Sequence, residues 1–83
     1  MNNEYQLSAA NIHELEVLHR QIKVKRQADR IKAVVLLARG WSVRDVATAL
    51  LIDEDTVRTY FKRYREGGLA KLLRMDYSGS EAW

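Results

Sequence analysis

The 83-residue sequence contains no cysteine and no proline. The first absence rules out disulfides and thiolate zinc sites, so apolar packing alone must hold the fold. Period-two alternation of β-branched residues is also scarce, and the apolar residues recur at helical spacing nearly throughout. No apolar run is long enough to span a membrane, and the polar start lacks the apolar core of a signal peptide. A cytoplasmic protein with no membrane partner is therefore expected. A chain of this length buries roughly 60–65% of the surface it exposes when unfolded. That makes one modest core and leaves no room for a deep catalytic cavity.

Groups that could carry chemistry are equally sparse. His13 and His19 lie six residues apart, which does not bring them to one spot on a helix. Asp53, Glu54 and Asp55 superficially resemble a magnesium-binding cluster. The alternating ligands, central glycine and distant Glu of an EF-hand do not follow them. No glycine-rich loop is present to cradle a phosphate, and Gly67-Gly68 reads as a helix stop. The sequence thus predicts no catalytic residue, no metal, no cofactor and no enzyme activity in this chain.

What the chain does have is unevenly placed charge. The net charge is only +3. Met1 to His19 carries three acids, Glu4, Glu14 and Glu16, and no Lys or Arg. Arg20 to Lys32 carries six basic residues against Asp29, and Arg58 to Arg74 carries six against Glu66. Two basic blocks on a small helical domain point to a polyanion partner.

Four helices are legible. Ser8 is a good N-cap for the first, in which Ile12, Leu15, Leu18 and Ile22 make one face. Its basic end, Arg20 to Lys23, suits the negative pole of the helix dipole. The second runs from about Lys25 to Arg39. Ala28, Ile31, Val34, Val35 and Ala38 point inward, and Leu36 and Leu37 widen the apolar face, which makes this the central helix. Gly40 stops it. Ser42 caps the third, about Val43 to Leu50, with Asp45 in the capping-box position; Val46, Ala47 and Leu50 are its buried residues. Asp53 caps the fourth through the amide of Thr56, and Val57, Tyr60, Phe61 and Tyr64 form its inward stripe. Gly67-Gly68 ends it, and Leu69, Leu72 and Leu73 give one more short helical piece. Trp41 is assigned to the core. The expected fold is all-α: a small bundle of four helices plus a short C-terminal helical turn, containing a homeodomain-like helix-turn-helix. Residues 1–7 are expected to be a flexible N-terminus, 8–74 the DNA-binding domain and 75–83 a linker or tail. Tyr77 and Trp83 in that tail receive no role.

Ser42 to Tyr64 reads as two short helices joined by a tight turn, the device that lays one helix in the DNA major groove. With the apolar stripe inward, Glu54, Asp55, Arg58, Thr59 and Lys62 face outward. Arg58 is the candidate for a bidentate guanine contact, Thr59 for a thymine methyl or a phosphate, and Asp55 or Glu54 for a cytosine amino group. Lys62, Arg63 and Arg65 are candidates for phosphate contacts, and Arg44 is placed to reach the backbone. The acids at the helix start repel phosphate but also favour the dipole, and Glu54 lies four residues before Arg58, a favourable pairing. Leu51 stands where many such turns have glycine. A leucine there costs roughly 1–2 kcal/mol if its φ is positive, so either the turn is built differently or Leu51 is buried in the core.

The run Arg30 to Ala47, then Asp53 to Tyr64, then Gly67-Gly68-Leu69, resembles the N-terminal DNA-binding region of mariner-like insertion-sequence transposases of the six-thirty group. The resemblance covers about Leu7 to Gly79. The spacing from Gly40-Trp41-Ser42 through Val57 to Gly-Gly-Leu is its specific part; the helix-turn-helix alone is shared with many repressors. The resemblance implies a domain that recognises the inverted repeats at an element's ends, with double-stranded DNA as partner. It also implies a separate RNase H-like domain downstream that uses an acidic triad and divalent metal, beginning where this chain stops. Leu51 and the acidic start of the fourth helix depart from the commoner glycine and Ser/Arg/Asn. Two alternatives stand beside this one. The first is a stand-alone regulator acting as a homodimer on a palindrome. The second is a protein-interaction module using Leu36, Leu37, Leu69 and Leu73 on a surface groove.

Overall fold

The computed structural model describes residues 5–74. The predicted Gly/Ser-containing tail, with Tyr77 and Trp83, lies outside them. Four helices follow one another: α1 (Ala9–Gln21), α2 (Lys25–Ala38), α3 (Val43–Leu50) and α4 (Glu54–Leu72). The described residues contain no strand, and the all-α expectation holds.

Capping sets the helix starts. The Ser8 hydroxyl accepts from the Asn11 amide at 3.1 Å, the Ser42 hydroxyl from Asp45 at 3.0 Å, and the Asp53 carboxylate from Thr56 at 2.9 Å. Each satisfies an amide that the first helical turn leaves without a partner. α2 is the exception: Val24 precedes it with no side-chain cap.

α2 is central, as its broad apolar face predicted: α1, α3 and α4 all pack against it. Leu15, Ile31, Val34, Leu37, Val46, Val57 and Leu72 are fully buried around it, with Phe61 at their centre. Truncating Leu15, Ile31, Leu37 or Leu72 to Ala costs on the order of 2–5 kcal/mol. Ala33 and Ala47 are small residues buried in the same core. Tyr5 and Leu7, in the stretch assigned to the N-terminus, pack against this core.

α4 changes direction at Gly68, which takes φ 67 and ψ −157. Only glycine adopts that conformation readily. The predicted stop and short following piece are therefore real, joined across a kink. The end of α4 is then fastened to α2 from the side. Arg30 is 4% exposed. Its guanidinium donates to the carbonyls of Leu72 at 3.2 Å and Arg74 at 3.1 Å and lies over the Tyr60 ring. The Gln27 amide donates to the Leu73 carbonyl at 3.2 Å. Carbonyls orphaned at the helix end are satisfied by side chains of a neighbouring helix.

Four expectations need correction. Trp41 is 44% exposed and flanks the α2–α3 turn, because the turn projects it away from α2. Leu51 does have a positive φ (61°) yet is 89% exposed, so the turn is the ordinary left-handed one and burial does not offset its strain. The side chain of the next residue, Ile52, packs on the core instead. Leu37 is fully buried, and Leu36, Leu69 and Leu73 pack against the core, so these four leucines do not make an outward groove for a partner. Finally, Arg30 is withdrawn from the first basic block; its charge serves the interior.

Candidate nucleic-acid interface

α3 and α4 form the helix-turn-helix. α3 is held at a fixed angle to α4 by Val46 and Ala47 from one side and Val57 and Phe61 from the other, all buried. The inward stripe of α4 is as expected: Val57, Phe61 and Tyr64 are buried and Tyr60 is half-buried. Burial pushes the Tyr64 hydroxyl above the usual tyrosine range, helped by the Glu14 carboxylate of α1.

The opposite side of α4 is open. Asp55, Arg58, Thr59, Lys62 and Arg65 are exposed, Arg63 is half-buried, and Arg44 is exposed near the start of α3. The structure thus brings Asp55, Arg58, Thr59 and Lys62 onto one outward face. Arg65 stands at one flank, where its guanidinium lies 5.9 Å from the Phe61 ring centre. Helical spacing puts Arg63 on the other flank. Arg44 reaches the same region from α3: it borders an open groove with Thr48, Leu51, Asp53 and Glu54 at the entrance to α4.

Arg58 is held in place by its own helix. One guanidinium nitrogen donates to Asp55 at 3.0 Å and the other to Glu54 at 3.3 Å. The spacing foretold the Glu54 pair; the i,i+3 partner Asp55 was missed, although both separations place side chains together. All three groups are largely exposed, so the clamp adds little stability. Its effect is on geometry, since it fixes the fork of Arg58 at the helix surface. Thr59, itself exposed, donates its hydroxyl to the Asp55 carbonyl at 2.9 Å. The bond from Thr56 to the Asp53 cap holds that carboxyl below the usual carboxylate range, and Lys71 does the same to Glu66.

Sequence reasoning missed two contributors. Arg30 falls in register with Val34 and Leu37, so its place on the buried face was readable from spacing. Tyr5 meets Phe61 edge-on, with ring centres 4.9 Å apart and planes at 80°; nothing local in the sequence announced that contact. Among the described residues no His, Cys, Asp or Glu cluster could hold a metal, and no helix is long and apolar enough to cross a membrane.

One protein-family model, described as winged helix-turn helix, matches residues 30–83. It runs from within α2 through all of α3 and α4. No curated protein and no solved structure matches the chain.

Proposed function

The chain belongs to the winged helix-turn-helix family, and we propose that it binds double-stranded DNA through the outward face of α4, as the end-recognition domain of a transposase does. One observation carries the reading: Val57, Phe61 and Tyr64 are buried while Arg58, Thr59 and Lys62 on the same helix are open. A recognition helix needs that division. In this reading residues 8–74 are the binding unit. Arg58 reads guanine, Asp55 accepts from the cytosine of a neighbouring pair, and Thr59 meets a thymine methyl. Lys62, Arg63, Arg65 and Arg44 hold the phosphates.

The transposase assignment rests on the spacing of Gly40-Trp41-Ser42, Val57 and Gly67-Gly68-Leu69. The inverted repeats of a mobile element are then the target, and strand cleavage belongs to a catalytic domain outside these residues. Selection of bound sequences from random duplex tests this. A non-palindromic site bound by one copy supports end recognition; a palindrome bound by a dimer supports a regulator. With about five phosphates neutralised, log K should fall with log salt at a slope of about −4 to −5. Arg58→Ala should relax base preference, whereas Lys62→Ala should weaken all sequences alike. Equal losses from both variants on selected and random duplex would remove that division of labour.

A further inference from the structure

The two basic blocks of the sequence do not share one face of the fold. At about 100° per residue, Lys32 and Arg39 stand roughly 180–200° around α2 from Arg30. Arg30 is turned to the end of α4, so Lys32 and Arg39 lie on the side of α2 away from that attachment. Between them and α1 runs an open groove of about 340 Å³. Val35 and Leu36 of α2 give it an apolar floor, and Arg20 of α1 stands on the opposite wall from Lys32. Of the four leucines considered for a partner surface, Leu36 alone borders it. Arg39 reaches across to the half-buried Glu16 of α1, and those two charges offset each other. Arg20 and Lys32 are left, one on each wall. Both are exposed, and neither makes a hydrogen bond or ion pair among the described residues.

We infer that the α1–α2 groove docks an acidic, amphipathic segment of a partner protein, with a carboxylate between Arg20 and Lys32 and an apolar side chain over Val35 and Leu36. This goes beyond the DNA-binding reading and stands without it. Charge complementarity selects the sign of the occupant, because the two open cations face each other while the one acid of the groove is already held by Arg39. The floor selects its class. A phosphate backbone supplies charge but little to cover Val35 and Leu36, whereas an amphipathic peptide supplies both. Position agrees. The outward face of α4 lies opposite the stripe that packs inward, and the groove is on the far side of α2, so a duplex on α4 leaves it free.

The test is a titration of the full chain, followed by amide NMR shifts, with a short helical peptide that carries glutamates beside leucines spaced at i and i+4. The amides of the groove should shift and saturate, while those of the outward face of α4 stay still. Arg20→Gln and Lys32→Gln replace exposed side chains and should unfold at the wild-type temperature. Each should weaken peptide binding roughly 2–5-fold, the usual size of one exposed ion pair. The same peptide with glutamine for glutamate should bind roughly 4–25-fold more weakly, the product of two such losses. Lys62→Gln removes an equal charge from α4 and should keep the wild-type affinity for the peptide. No saturable shift at the groove overturns the inference. So does equal binding of the glutamine peptide, or a loss from Lys62→Gln as large as that from Lys32→Gln. A mixed-sequence duplex that moves the groove amides would give the site to nucleic acid. Shifts there that grow with the concentration of the chain alone would give it to a second copy. Either result overturns the acidic-segment assignment.

Discussion

The α2–α3 turn, Gly40-Trp41-Ser42, and the α3–α4 turn, Leu51-Ile52-Asp53, make the same hydrogen bonds in the same order. In the first, the Gly40 amide donates to Leu37 at 3.0 Å and the Trp41 amide to Leu36 at 3.1 Å. In the second, Leu51 donates to Thr48 at 3.3 Å and Ile52 to Ala47 at 3.0 Å. Both are Schellman endings. Each has a positive-φ residue, then an apolar residue, then the N-cap of the following helix. The residues filling these places differ at every step. Glycine takes the left-handed position in one turn and leucine in the other. The apolar residue is outward in the first (Trp41) and packed on the core in the second (Ile52). The cap is a neutral hydroxyl in the first and a carboxylate in the second. Backbone geometry therefore tolerates either filling, and the second turn is the strained one. It is also the turn that leads into α4.

Between the two turns, the largest expected effect comes from removing the glycine of the relaxed one. A Cβ at Gly40 would meet nothing within 4 Å, so Gly40→Ala isolates the backbone term. It should destabilise by about 1–2 kcal/mol in urea unfolding. No loss would mean that φ at this position can relax, and the comparison of the two turns would collapse.

The mirror experiment is smaller. Leu51→Gly relieves left-handed strain but adds unfolded-chain entropy. Because the leucine is 89% exposed, almost no buried area is lost. A net gain of about 0.5–1 kcal/mol should appear in the same assay. A loss would reveal a packing role for Leu51 that its exposure does not suggest.

Smallest is the pH-dependent part of the difference between the two caps. Hydrogen bonding to Thr56 lowers the Asp53 pKa in the folded state. Its contribution is complete above the ordinary Asp value and disappears as pH falls through the lowered one. Asp53→Asn keeps a capping oxygen and should flatten that part of the acid limb of stability against pH. Ser42→Ala should cost about 1 kcal/mol at every pH, since a hydroxyl does not titrate in this range. Parallel acid limbs for Asp53→Asn and wild type would show that the charge of this cap is immaterial.

The same contrast explains what the sequence made legible. Ser8, Ser42 and Asp53 announced their helices because capping is local chemistry between residues three apart. Val57, Phe61 and Tyr64 announced the buried side of α4, and with it the open side, because helical periodicity is local as well. Trp41 was misassigned because hydrophobicity does not say which way a turn projects a side chain. The exposure of Leu51 was missed for a related reason: the turn sends Leu51 outward and gives the core Ile52. The spacing of Arg30 with Val34 and Leu37 showed which face of α2 it shares, but not its acceptors, the carbonyls of Leu72 and Arg74, which lie more than forty positions away. The groove between α1 and α2 was invisible because its two walls meet only through the tertiary fold.

Gly68 carries a last consequence. Its φ of 67 and ψ of −157 fall in a region that residues with a Cβ rarely adopt, so this one position governs where α4 bends. A protein engineer who wished to lengthen α4 into a straight rod would start by replacing it. Doing so would swing Leu72 out of the interior and pull two carbonyls from the grip of Arg30. The price of a longer lever would be the anchorage of the helix it extends.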